Sequence, residues 1–248
     1  MTDQPLVAYM NESTTFTDAE IAEIMAADQE DTSANGHWWE LVPAVFKQIP
    51  KGDPAPAGYR QHVFLDNADQ ANALGYHELT SEGLTLSKVF VLTTQNDGQT
   101  VSRVSNHERW EDFVDPWLNR YTTDWDRAYA IEPGDLCSLD SQGRSGPGGV
   151  LLSDIALPAA YFKNYGTKYS LGGTLTAGLP NVAPADGAYL MWQGGAGWEG
   201  PGTAPFIIQP PPVIAAAQMT HILAQAGSRR HRRMIPEALR RRSTVPGR

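Results

Sequence analysis

The chain has 248 residues, 41% of them hydrophobic, and a formal net charge of -9. That is enough apolar material to bury a core in one large domain or two small ones, and no single apolar run is long enough to span a membrane. One cysteine, Cys137, excludes an intramolecular disulfide and suits a reducing compartment or a particle assembled inside a cell.

The net charge hides an asymmetry. Residues 229–248 carry eight Arg and one Glu, about +7, which leaves about -16 on the rest of the chain. The Arg229–Arg242 region is therefore expected to contact nucleic acid phosphates or the acidic surface of another protein, or to serve as a disordered solubilising end.

Residues 1–16 lack clear periodicity and read as an extended N-terminal arm. Thr17-Asp18-Ala19-Glu20 is a capping box followed by Ile21, Ile24 and Met25 at helical spacing, which predicts a helix to about Gln29. Asn35-Gly36 marks a turn, and Trp38–Ile49 reads as a strand interrupted by Pro43. After the loop of residues 51–58, strands are expected over Tyr59–Leu65, Leu74–Leu79 and Leu86–Thr94, the last ended by Asn96-Asp97-Gly98.

A helix then begins near Thr100 or Ser102 and ends by about Asn119, with Pro116 tolerated only where the helix is ending or kinking. At about 100° per residue, with His107 at zero, Glu111 falls near 40°, Asp115 near 80° and Glu108 near 100°. These groups share one narrow arc. Trp110, Phe113, Val114 and Trp117 form a core face, and Arg109 and Asp112 a solvent face. Three carboxylates at such spacing repel one another unless a cation or protons relieve them. A solvated acidic face is the ordinary alternative.

Beyond Tyr121 the pattern thins. Short strands are expected at Tyr129–Glu132 and Val150–Ile155, one helical turn at Pro158–Phe162, and irregular structure from Gly166 to Gly202. Pro210-Pro211-Pro212 is a stiff spacer, and Val213–Ala226 a helix closed by Gly227 that could dock on another subunit. The order helix, strands, acidic helix predicts a mixed α+β fold with helices against one sheet. The domain plan is an arm (1–16), a main domain (17–200) and a C-terminal extension with helix and Arg-rich tail (201–248).

The segments Ala73-Leu74-Gly75-Tyr76-His77, Lys88-Val89-Phe90-Val91 and Ser105-Asn106-His107-Glu108, with Glu111 and Asp115-Pro116, resemble an uncharacterised family of bacterial and phage proteins. In that family the helix reads Ser-His-Glu-x-x-Glu followed by Asp-Pro, and it looks like a variant of the zincin metallopeptidase helix. The resemblance continues through Glu132–Asp135, Leu152-Ser153-Asp154, Leu157-Pro158 and Tyr161-Phe162, covering roughly residues 17–200. This chain departs from the pattern at Asn106, where the family has serine, and at Arg109, Trp110 and Asp112, where it has apolar residues.

The resemblance implies a zincin-like α+β fold and a zinc-type site. His107 would be a ligand, Glu111 would stand in place of a second histidine, and Glu108 would act as general base. Residues at i and i+4 grip one ion from one helix face, and the intervening carboxylate holds the water that the metal acidifies. A third ligand is expected from Asp115, Glu132 or Asp135, with Glu132 preferred. One imidazole with several carboxylates is a hard ligand set, so Ca2+, Mn2+ or no metal are the alternatives to Zn2+. His77 could face this site, although a hydrogen-bonded core or edge histidine is the ordinary reading of its position. His37, His62, His221 and His231 show no partner pattern, Cys137 reads as a small buried residue, and Gly146–Gly149 lacks the Lys and helix of a phosphate loop.

Two functions follow as expectations. One is a metallopeptidase-like enzyme, phage-encoded as the resemblance implies, that hydrolyses amide bonds with metal-activated water. The other is a non-catalytic virion protein, such as a minor capsid, decoration or tail component, that meets other virion proteins through its arm and C-terminal extension. With no secretory apolar region, the chain is expected in the host cytoplasm during assembly or in the virion, with no membrane partner.

Overall fold

A computed structural model of the chain describes residues 4–70, 73–124, 127–179, 188, 190, 192–194 and 197–199, with the side chains of 123–128 and 192–199 excepted. The expected spacer, C-terminal helix and Arg-rich tail lie outside the described residues. The chain divides into two compact units, Met1–Trp117 with Glu132–Tyr189, and Leu118–Ile131 with Leu190–Arg248.

The first unit is built on a five-stranded mixed sheet, ordered β2-β1-β3-β5-β4. Its first strand, β1 (Leu6–Asn11), lies between β2 and β3 and pairs in parallel with both, so the expected arm is corrected to an interior strand. Val7, Ala8 and Tyr9 are all fully buried. A strand covered on both faces has no polar alternation to reveal it, which is why its sequence reads as aperiodic.

Helix α1 (Asp18–Asn35) starts at the predicted cap. The Glu20 amide donates to Thr17 Oγ1, and the Thr17 amide donates to Glu20 Oε2 at 2.7 Å. It continues past the expected end at Gln29 into a short 3-10 turn, Gly36–Trp39, so the strand predicted from Trp38 shrinks to β2 (Val45–Ile49). β3 (Arg60–Leu65) follows, then the hairpin β4 (Gly75–Leu79) and β5 (Thr85–Phe90). β5 runs parallel to β3, whereas β4 is antiparallel to β5 and ends the sheet.

Val91–Thr94, expected to prolong the strand, instead lie in the short helix α2 (Val91–Asn96). β3 ends at Leu65, and the amides of Leu92 and Thr93 turn to donate to the Asp66 carbonyl, so tertiary pairing overrides the β-branched run. The predicted acidic helix is α3 (Val101–Val114), which stops one residue before the Asp115-Pro116 pair.

Helices α1 and α3 pack on each other and against the sheet. Val7, Tyr9, Ile21, Ile24, Phe46, Phe64, Val89, Val104 and Phe113 form the core between them. Removing such apolar surface from water supplies the driving force for this layer at roughly 25 cal/mol per Å².

The rest of the unit is short elements: the two-stranded hairpin β8 (Arg144–Ser145) with β9 (Leu151–Leu152), and one turn of helix, α4 (Pro158–Tyr161). The glycine-rich segment after Gly166 wraps the buried Asp154 carboxylate, which accepts from Ser170 Oγ and from the amides of Gly172 and Thr174. The second unit contains an antiparallel sheet ordered β11-β10-β7-β6, from β6 (Tyr121–Asp124), β7 (Arg127–Ala130), β10 (Trp192–Gly194) and β11 (Gly197–Glu199). No helix among the described residues is long and apolar enough to cross a membrane.

Candidate metal centre

Helix α3 is buried along its whole length. Arg109 and Asp112, expected to face solvent, are both fully buried and form an ion pair 2.7 Å long. The solvated acidic face is thus overturned, because α3 is enclosed by α1, β4, β5 and β9. With no outer face left, every polar side chain on the helix needs a partner or a ligand.

On one side that need is largely met by protein, although Asn106 Oδ1 and Arg109 Nε have no hydrogen-bond partner. Asp28 of α1 accepts from Tyr9 Oη at 2.9 Å, Ser105 Oγ at 2.7 Å and Asn106 Nδ2 at 3.0 Å. Asp31, one turn along, accepts from Asn35, Asn106, Trp110 Nε1 and Arg144. Arg109 donates to His62 Nδ1 and to Ser87 Oγ. Because Ser105 donates to Asp28, its oxygen accepts from His62 Nε2, which assigns His62 as the neutral Nε2–H tautomer. Burial, helped by Arg109, pushes the His62 pKa well below its ordinary value. Asn106, Arg109, Trp110 and Asp112 therefore serve a buried polar network.

The other side gathers His107, Glu108 and Glu111 of α3, His77 of β4, and Glu132 and Asp135, all buried. His107 Nε2 lies 3.1 Å from Glu111 Oε1 and 3.4 Å from Asp135 Oδ1. His77 Nδ1 lies 3.7 Å from Glu111 Oε2 and 3.8 Å from Glu108 Oε2, and its Nε2 lies 4.0 Å from Glu132 Oε2. Two groups, His77-Glu111-Glu132 and His107-Glu108-Glu111, each bring their ligand atoms within 4.8 Å of one another and could hold a metal ion.

His77 Nε2, His107 Nδ1, Glu108 Oε2, Glu111 Oε1 and Glu132 Oε2 have no hydrogen-bond partner. Asp115 is buried, and its charge contributes to the rise in the Glu132 pKa.

The site is narrow because two glycines wall it. A Cβ on Gly75, which opens β4, would sit 2.7 Å from Glu108 Oε1, and one on Gly134 would sit 2.5 Å from His107 Nδ1. Only backbone fits in either place. Tyr161 of α4 donates through its hydroxyl to the Glu132 carbonyl at 2.7 Å and so pins the segment that carries Glu132.

Crowded carboxylates without a cation hold protons instead. Burial alone would lower the His77 pKa, but the neighbouring Glu108 and Glu111 charges outweigh it and raise the value to about 9. His107 is likewise raised, against burial, by Glu111 and Asp135, and Glu132 is raised by burial and then by Glu111.

His107, Glu108 and Glu111, read from α3, thus come together with Glu132 and Asp135, two of the three third-ligand candidates named from sequence, whereas Asp115 caps the end of α3 and belongs to neither metal-capable group. His77, read from sequence as able to face the site or as an ordinary hydrogen-bonded core or edge histidine, is the one buried residue of β4 and faces Glu108, Glu111 and Glu132. Gly75, Gly134 and Tyr161 carried no spacing signal for this role.

Comparison with known protein families, with curated proteins and with solved structures finds no match for this chain.

Proposed function

We propose that the chain is a zincin-like, metal-dependent hydrolase of amide bonds, with Zn2+ as the expected ion and Mn2+ or Ca2+ as alternatives. The observation that carries this reading is the convergence of buried imidazole and carboxylate atoms, several of which lack a hydrogen-bond partner. The donor set fits a transition metal better than the sequence implied, because His77 adds a second imidazole to the carboxylates. A mixed sheet with packed helices and a ligand-bearing helix is also the architecture that the zincin resemblance implies.

A bound dication supplies Lewis acidity and a water acidic enough to ionise near neutral pH. His107 and Glu111 would hold it from one face of α3, with Asp135 or Glu132 closing the set. Glu108, adjacent to His107 on the helix, takes the proton of the attacking water at Oε2 and passes it to the leaving amine. The edge strand β4 supports a peptide substrate: among the described residues it pairs only with β5, and an extended peptide can add to such a free edge through backbone hydrogen bonds.

Elemental analysis of purified protein and cleavage of a peptide library test the reading. The expected result is bound metal, chelator-sensitive cleavage, and a loss of at least about a hundredfold in Glu108→Gln with metal retained. Unchanged cleavage in that variant ends the reading.

A second reading, the non-catalytic virion protein, rests on the Arg-rich segment 229–248. It expects a fixed copy number in purified particles, reduced on deletion of that segment. Absence from particles removes it.

A further inference from the structure

We propose that the site is a two-ion centre in which Glu111 bridges a pair of divalent cations, one served by His107 and the other by His77. This rests on the metal-dependent reading above and deepens it.

The donors fall into two sets that share one member. His77, Glu111 and Glu132 form one, and His107, Glu108 and Glu111 the other, in which Glu108 is kept as the base while Asp135, 3.4 Å from His107 Nε2, completes the donors. Each set brings its own imidazole. Glu111 turns one oxygen toward each ring, Oε1 at 3.1 Å from His107 Nε2 and Oε2 at 3.7 Å from His77 Nδ1. A carboxylate so placed offers each of two ions an oxygen, and paired hydrolytic ions lie about 3.5–4 Å apart. Donors bound to a single tetrahedral ion at about 2.0–2.2 Å lie roughly 3.4 Å from one another. The separations on the His107 side, 3.1 and 3.4 Å from the same Nε2, match that spacing. On the other side Glu111 lies 3.7 Å from His77 Nδ1 and Glu132 4.0 Å from His77 Nε2, so an ion there takes one ring nitrogen and draws the farther carboxylate in, within a set whose ligand atoms all lie within 4.8 Å of one another.

Unpartnered atoms occur in both sets. One ion held by His107, Glu111 and Asp135 would still leave His77 Nε2 and Glu132 Oε2 4.0 Å apart, too far for a hydrogen bond. These side chains are not at the surface, since His77 and Glu132 are 8% exposed, Glu111 5% and Glu108 4%. Leaving such atoms unsatisfied is costly, and a second ion satisfies both.

Charge points the same way. Glu108, Glu111, Asp115, Glu132 and Asp135 are all buried and together carry about -5 when ionised. One dication leaves about -3 and a second about -1. Arginine does not supply the difference, because Arg103 is held by Asp140 and Arg109 by Asp112.

The experiment uses the full chain, loaded with Mn2+ and freed of excess by gel filtration. The expected result is two ions per chain by elemental analysis and native mass spectrometry, with an electron paramagnetic resonance spectrum of a coupled pair. His77→Ala and Glu132→Gln are each expected to lower the count to one and to restore the hyperfine pattern of an isolated Mn2+. A single ion in the unmodified chain overturns the bridged pair and leaves the metal-dependent reading standing. Two ions with an uncoupled spectrum overturn the bridge. No bound ion overturns both readings.

Discussion

The two sides of α3 bury comparable polar groups and treat them oppositely. Toward α1, the Asp28 and Asp31 carboxylates are saturated by donors from Tyr9, Asn35, Ser105, Asn106, Trp110 and Arg144. Toward β4, Glu108, Glu111 and Glu132 each keep an oxygen that makes no hydrogen bond of good geometry and faces only the His77 and His107 rings. A saturated network rigidifies and positions the helix, whereas an unsaturated one costs stability and is retained for what it binds. The difference separates structural from functional polarity more sharply than residue type does, since both sides are made of carboxylates and amphipathic rings.

Substitutions across this boundary should move stability in opposite directions. The largest effect is expected from Asp31→Ala, which strips Arg144, Asn106 and Trp110 of a shared acceptor and leaves a largely buried guanidinium unpaired. A loss of about 3 kcal/mol in urea unfolding is expected, with metal content per folded chain unchanged. Metal loss without destabilisation would move Asp31 into the site.

Asp28 sharpens the comparison through pH. Burial, opposed by its hydroxyl and amide donors and by Arg109, holds its carboxyl at about 6 against an ordinary 3.8. The folded chain therefore binds this proton more tightly than the unfolded one. The stabilising contribution is complete below about pH 3.8 and is lost as pH rises through about 6. Asp28→Asn should remove a component of about 3 kcal/mol from the pH dependence of unfolding across that window. Identical pH profiles for the two proteins would contradict the assignment.

On the opposite side, Glu132→Gln should stabilise the metal-free protein by about 1 kcal/mol at a pH high enough to ionise Glu132, because the amide never has to ionise beside Glu111, Asp115 and Asp135. The same change weakens metal retention. Destabilisation of the chelator-treated variant would class Glu132 with the saturated network. Smallest and outside both clusters, Thr17→Ala should cost about 1 kcal/mol or less through loss of the α1 cap, with no change in metal binding.

Local signals were legible where the chain needs only its near neighbours. The Thr17-Glu20 capping box starts α1 where predicted, and the spacing of His107, Glu108 and Glu111 put three site residues on one helix. β3, β4 and the first part of β5 follow their alternation. Misreadings occurred where burial on both sides erased the pattern. β1 looked like an arm because both its faces are covered, and Arg109 and Asp112 looked solvent-facing because their pairing with each other and with His62 and Ser87 is invisible in one dimension. α2 was lost to the sheet because the run Val89–Thr94 favours strand locally, while the Asp66 carbonyl turns it.

By itself the sequence determined that an imidazole and two carboxylates would share one helical arc, since a turn of helix places i and i+4 together whatever surrounds them. Only the tertiary structure decided that this arc faces a closed interior, that His77 arrives from β4 and Glu132 and Asp135 from beyond α3, and that Gly75 and Gly134 leave room for nothing but donor atoms. Convergence from separate segments depends on sheet order and on burial, which are properties of the packed chain and not of any stretch of it.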